Sequence, residues 1–265
     1  MISPLRLFHD KGWCRFDYDD DIAAWVQHAL PLARIAVSAQ TNARWLRCGG
    51  TWFAGVNVLP NDSTGEIGNS GPLLGSVISF IRKELNLVEF AWDNAQISAC
   101  YPGYPQPMSQ EPRSAFRYRR DRDAAHVDGL LPEGARRRRH LREHHGFILG
   151  LPLVEFDAGA SPFVIWEGSH EIIRSALQER FQGLSAQQWC DEDVTKTYHQ
   201  ARQKVFDECN RVEISARPGE AYIAHRLAVH GVAPWAATAT AGADGRMICY
   251  FRPDFGDPVS WLNAR

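Results

Sequence analysis

The sequence predicts a mainly β fold with flanking helices, of the sandwich or jelly-roll kind. Three observations carry this. Short β-branched and aromatic runs dominate from residue 88 onward, most of them bounded by Gly, Pro, Asp or Asn. Helical periodicity is concentrated before residue 90. A single helical stretch, about 169–210, interrupts the strand-like runs.

Taken in order, Asp19 to Ser38 reads as a helix. Acidic residues 19–21 sit where a helix N-terminus favours negative charge, and Ile22, Trp25, Val26, Leu30 and Leu32 form an apolar stripe, broken near Pro31. Residues 45–70, rich in Trp, Gly and Asn, predict short strands and turns. Leu73 to Leu87 reads as a second helix, with Leu74, Val77, Ile78 and Ile81 at helical spacing. Strand-like runs follow at 88–90, 95–101, 124–128, 145–156, 163–166, 212–216, 221–224, 227–230 and 247–252. Pro218-Gly219-Glu220 and Asp244-Gly245 predict strand-linking turns. Ser169 to Phe181 predicts a helix, and 185–209 is polar and helix-permissive, so 169–210 reads as an insertion between two strands. The expected organisation is one domain over 1–265. A mixed α/β part of about 1–90 packs on a jelly-roll core of about 91–265.

Composition excludes several classes. At 45% hydrophobic and 23% charged residues, the 265-residue chain can build a sizeable core. Its net charge of −2 provides no global field for nucleic acid or membrane. No apolar run approaches a membrane span, and the stretch Met1 to Arg6 is followed by polar residues rather than a long apolar region, which argues against a signal peptide. Six scattered cysteines without a Cys-x-x-Cys pair read as reduced thiols of a cytoplasmic protein. Local charge is less even. Residues 113–142 hold ten arginines, Arg136 to Arg139 consecutively, against four acids. Two readings stay open for this stretch: a solvated loop, or an electropositive rim that attracts a carboxylate or phosphate.

The chemistry-bearing residues are His126-Val127-Asp128 and His230-Gly231. In a strand, positions i and i+2 point to one side, so His126 and Asp128 could reach one metal. With His230 they complete the two-His, one-carboxylate face that suits non-haem Fe(II) and leaves positions open. The triplet alone is weak, since composition predicts about 0.6 His-x-Asp by chance. His144, His145, His170 and His225 are further candidates that read more simply as core or turn histidines. Trp166 and Trp235 read as packing residues, and Glu133 and Glu143 as solvated partners of the arginines. Ser169 has no base at nucleophile spacing, which argues against a hydrolase.

Five landmarks in order sharpen this: Ala125-His126-Val127-Asp128, Trp166-Glu167-Gly168-Ser169-His170, Pro218-Gly219-Glu220-Ala221-Tyr222, His230-Gly231-Val232-Ala233-Pro234 and Arg246-Met247-Ile248-Cys249-Tyr250. In them the chain resembles, over roughly 95–255, the phytanoyl-CoA dioxygenase-like branch of the Fe(II)/2-oxoglutarate-dependent oxygenases. The resemblance implies a double-stranded β-helix with iron on His126, Asp128 and His230, and Arg246 pairing with the far carboxylate of 2-oxoglutarate. It implies that O2 and 2-oxoglutarate are consumed and that a small molecule is hydroxylated or desaturated. Halogenating relatives carry a small residue where this chain has Asp128. Arg252 shares the face of Arg246 but lies about 20 Å along the strand, so only one can serve the co-substrate. Relatives often place Ser or Thr two residues after the distal His. Here that position is Val232, so another donor is needed, with Tyr250 as one option. A jelly-roll metalloenzyme that does not use 2-oxoglutarate, and a non-catalytic ligand-binding jelly roll, are the alternative readings.

Overall fold

Two antiparallel sheets face each other in the computed structural model, which describes residues 2–88 and 90–264. The elements run α1 (Pro4–Lys11), β1 (Trp13–Phe16), α2 (Asp20–Ser38), β2 (Leu46–Arg47), β3 (Trp52–Gly55), α3 (Ser76–Lys83), β4 (Gln96–Cys100) and α4 (Arg113–Asp121). Then come β5 (Leu130–Glu133), β6 (Arg138–Leu141), β7 (Phe147–Pro152), β8 (Phe163–Trp166), α5 (Ser169–Phe181) and α6 (Thr195–Glu208). The chain closes with β9 (Arg211–Ile214), β10 (Ala221–His225), β11 (His230–Val232), β12 (Arg246–Phe251) and α7 (Pro258–Asn263). The large sheet has the order β1-β10-β7-β12-β4-β3-β2, the small one β11-β8-β9, and β5-β6 is a separate hairpin. This is a jelly-roll core with helices on its outer faces.

The apolar runs are continuous because both faces of each sheet are covered. On β12, Met247, Cys249 and Phe251 pack with the helical layer, in one cluster with Trp25 and Ala29 of α2 and Ile78 and Ile81 of α3. Ile248 and Tyr250 turn the other way, into the space between the sheets. The small sheet repeats the device. Phe163 and Ile165 face inward, while Val164 and Trp166 pack under α5 and α6. Each side chain thus follows from the two-residue period of a strand.

The N-terminal part is woven into this core. Strand β1 pairs with β10, and β3 with β4, so residues before 90 supply edge strands of the large sheet as well as its helical cover. Asp19 fastens two helices at once. Its Oδ1 accepts from the backbone N–H of Asp21 and Ile22 at the start of α2, and its Oδ2 from Ser76 N–H (2.7 Å) at the start of α3.

Several expectations need correction. The helix expected at 73–87 is confined to α3, because Gly75 at φ +123° starts it late and Leu85 leaves it. Helix α2 runs through Pro31 without a break. Val88 and Phe90 lie in no strand, and Glu89 is outside the described residues. The run 124–128 is not a strand either, since Asp123 and Ala124 adopt left-handed φ of 54° and 53° and only His126 forms a bridge. Helices α1, α4 and α7 and the β5-β6 hairpin were not foreseen. No helix among the described residues is long and apolar enough to cross a membrane, and the six cysteines are free.

The shared cap gives a measurable expectation. Asp19→Ala should lower unfolding free energy by about 2 kcal/mol in denaturant titrations, twice the usual single-cap cost, with Asp19→Asn intermediate. A loss below about 0.5 kcal/mol would show that the second helix does not depend on this carboxylate.

Candidate metal centre

Backbone pairing brings the two halves of the site together. His126 N–H donates to His230 C=O (2.8 Å) and His230 N–H donates back to His126 C=O (3.0 Å). The segment before His126 is drawn in by Val232 N–H, which donates to Asp123 C=O (2.9 Å). This approach explains the residue after the distal histidine. A Cβ on Gly231 would stand 2.1 Å from Asp123 O. Arg211 of β9 grips the Asp123 carboxylate with two bonds of 2.7 and 2.9 Å. Gly129, at φ +84°, then turns the chain so that Asp128 faces back. A Cβ there would meet Glu143 O at 2.3 Å.

The insertion braces both ligand-bearing segments. The buried Ser169 hydroxyl accepts from Val229 N–H (2.9 Å), one residue before His230. The Tyr198 hydroxyl of α6 accepts from Val127 N–H (3.1 Å), between His126 and Asp128. Ser169 is therefore a backbone clamp, and His170 joins it by donating Nε2–H to His9 C=O (2.9 Å).

Three ligand-type atoms converge. One atom from each of His126, Asp128 and His230 lies within 4.8 Å of the others. His126 Nε2 is 3.3 Å from Asp128 Oδ1, and His230 Nε2 is 3.7 Å from Asp128 Oδ2. Each imidazole has its Nδ1 on the carbonyl two residues earlier, Ala124 O at 3.0 Å and Ala228 O at 2.9 Å. Those carbonyls require Nδ1–H, which leaves a lone pair on each inward Nε2. His230 also stacks on Phe163 at 5.5 Å. The His126 side chain is 45% exposed against 6% for His230 and 8% for Asp128, so the site opens on the His126 side.

Electrostatics favour the ligand forms. Burial alone would raise the Asp128 carboxyl, but Arg252, His230 and His126 outweigh it and hold the group well below the usual carboxylate range. Burial, reinforced by His126, pushes His230 down to about 4, against the opposing pull of Asp128. Both are thus in the protonation state that a cation requires.

Beside the triad lies a cavity of about 200 Å³. Trp52, Val56, Phe163 and Val232 give it apolar walls, Gln96 and Ser98 give it polar ones, and Arg47 and Arg252 line it too. Arg246 stands behind Ser98 and Tyr250, with no exposed surface. Its guanidinium donates to Ser98 Oγ (3.2 Å) and Tyr250 OH (3.0 Å), and its Nε has no partner among the described residues. Burial raises the Tyr250 and Tyr222 phenols and raises the Cys100 thiol to about 11. The groups around this cation are therefore neutral at ordinary pH.

Sequence reasoning singled out the three residues that the structure brings together, but by a strand that does not form. It missed Ser98, Trp52, Gln96 and Arg47, and it set Arg252 aside. Only register could have found Ser98. It pairs with Ile248 and so shares a face with Arg246 and Tyr250. His145 and His225 are buried and hydrogen-bonded elsewhere, to Arg252 O and Arg174 respectively. The arginine run is not the rim of this cavity. Arg138 pairs with Asp193, Arg142 with Glu133, and Arg139 lies over the Tyr198 ring.

No family model matches the chain, and no curated protein matches its sequence. Solved structures do match. The non-haem α-ketoglutarate-dependent carbocyclase SnoK of nogalamycin biosynthesis superposes with a TM-score of 0.54 at 13% identity, covering 96% of this chain and 84% of SnoK. The epimerase SnoN, crystallised with Fe3+, α-ketoglutarate and nogalamycin RO, gives 0.46 at 13% identity over 94% and 82%. EctD from S. alaskensis with bound Fe gives 0.41 at 13% identity over 96% and 76%. The jelly-roll fold is thus shared with SnoK.

Acid should destabilise the metal-free protein in a defined window. The folded value of His230, about 4, lies below its ordinary 6.5, so the unfolded chain takes up the proton first. Buried His225 is held low as well, by burial and then by Arg226. Stability from these groups is fully present above pH 6.5 and is lost as pH falls towards 4, by roughly 3 kcal/mol for His230 alone. Melting temperatures measured from pH 7 to 4 check this, and a flat profile would contradict it.

Proposed function

We propose that the chain is an Fe(II)/2-oxoglutarate-dependent oxygenase, of the phytanoyl-CoA dioxygenase-like kind, that hydroxylates a small molecule. The observation that carries the reading is the pairing of two features. One is a His-Asp-His face whose lone pairs are already aimed inward. The other is a buried arginine with no anionic partner among the described residues. An unpaired buried guanidinium costs several kcal/mol, which a bound carboxylate would offset. Arg is suited to that task because its fork is planar and permanently charged.

His126, Asp128 and His230 would hold the metal, with two neutral nitrogens and one carboxylate oxygen. Iron bound there would supply O2 activation coupled to oxidative decarboxylation of 2-oxoglutarate. The chain's own part is positional. Arg246 would neutralise the far carboxylate of the co-substrate, with Ser98 and Tyr250 donating beside it in place of the hydroxyl that Val232 lacks. Trp52, Phe163 and Val56 exclude water from the reacting space. Asp128 supports hydroxylation over halogenation, since its carboxylate occupies the place a halide would need. SnoK is a carbocyclase, so other oxidative outcomes share this fold. Arg47 is exposed at the cavity and forms no ion pair among the described residues. It favours a substrate that carries an anionic group on an apolar body.

Anaerobic titration with Fe(II) and 2-oxoglutarate tests the reading. The parent should bind both and release succinate under O2, faster when the substrate is present in a metabolite screen. Asp128→Ala should abolish metal uptake. Arg246→Gln should weaken 2-oxoglutarate binding by about 100-fold while leaving metal affinity within about threefold. Metal uptake without any 2-oxoglutarate binding would favour a jelly-roll metalloenzyme of another chemistry, and no metal uptake at all would sink both.

A further inference from the structure

We propose that Arg252 is a positioning residue for Asp128, holding one carboxylate oxygen so that only the other is offered to the metal. The inference rests on the iron-site reading above and deepens it. Arg252 Nη1 donates to Asp128 Oδ2 at 3.2 Å, and Oδ1 is left 3.3 Å from His126 Nε2. Asp128 is buried, its side chain 8% exposed, and the Arg252 side chain is half-buried at 18%.

The arginine is itself pinned. Its backbone N–H donates to both oxygens of the Asp93 carboxylate, at 3.0 and 3.2 Å. Its carbonyl accepts from His145 Nδ1 (2.7 Å), and the Nε2 of that ring donates to Glu143 Oε2 (3.0 Å). The guanidinium thus projects from a backbone fixed on both sides of the peptide, just beyond the end of β12. An arginine placed only for neutralisation needs no such fixing. One placed for direction does, because a carboxylate free to rotate about its Cβ–Cγ bond could present both oxygens to one cation.

The difference matters for the count of free positions. A carboxylate bound through one oxygen leaves three sites of six open, enough for a two-point co-substrate and O2, whereas a chelating carboxylate leaves two. Outer partners of metal ligands typically change affinity or activity 10- to 100-fold when removed.

Mn(II) is a redox-stable probe for the test. Its affinity and the number of exchangeable waters on it, from water-proton relaxation, are measured for the parent, Arg252→Met and Arg252→Lys, each checked for folding by its melting curve. The parent should retain three waters. Arg252→Met should fall to two, with affinity altered about tenfold, and Arg252→Lys, which restores a charged donor, should return the count to three. Arg252→Met with three waters and parental affinity would overturn the proposal. Should the methionine variant fail to fold, Arg252→Gln, which has no charge and a shorter reach, is read by the same two criteria. A parent that binds no Mn(II) would instead remove the iron-site reading itself.

Discussion

The site depends on one reciprocal pair of backbone hydrogen bonds, between His126 and His230. Neither partner belongs to a long ladder at that point. His126 lies outside any strand, and His230 is the first residue of the three-residue β11. The pair nevertheless fixes the separation of two imidazoles, because residues directly opposite in an antiparallel bridge hold their side chains on the same side. Everything around it serves that closeness. Gly231 removes the Cβ that would keep Asp123 away, Arg211 holds Asp123 from the far side, and Val232 adds the next bond.

Two-sided burial explains why the centre can sit inside a jelly roll without weakening it. The large sheet buries one face against α1 to α3 and the other against the small sheet. Polar side chains admitted to the inner face, such as Arg246, Ser98 and the Tyr222–Tyr250 pair (OH to OH 2.8 Å), satisfy each other rather than solvent. Among the described residues of this set, the Arg246 charge is left over. A fully apolar inner face would pack as well, so stability alone does not account for the polar set on it.

Much of this was legible in the sequence, and what was not has physical causes. The run 163–166 and the helix 169–181 were bounded correctly, since β-branched residues end at a Gly-Ser pair that starts the helix. The three converging side chains were singled out through landmark order rather than through local geometry. The expected strand at 124–128 failed because left-handed residues at 123 and 124 have no signature in Asp-Ala. Arg252 was placed on the right face of β12, far from Arg246, but its partner lies on a segment whose path no periodicity encodes. Ser98 is one small polar residue among apolar neighbours, and only pairing with Ile248 brings it beside Arg246. The arginine-rich stretch defeated the reading for another reason. Its helix and hairpin are held in part by guanidinium groups laid on aromatic rings, Arg122 on Phe206 and Arg139 on Tyr198, which a charge count cannot show.

The insertion between β8 and β9 has a consequence for descent. Its base closes on Trp166 and Arg211, which are paired across the strands, so in principle its length could drift without disturbing the sheet. Yet it supplies the Ser169 and Tyr198 hydroxyls that steady the chain next to His230 and His126. What looks like a detachable ornament is a brace for both histidine-bearing segments. A lineage could remodel its outer surface freely, but could shed it only by recruiting two new acceptors elsewhere.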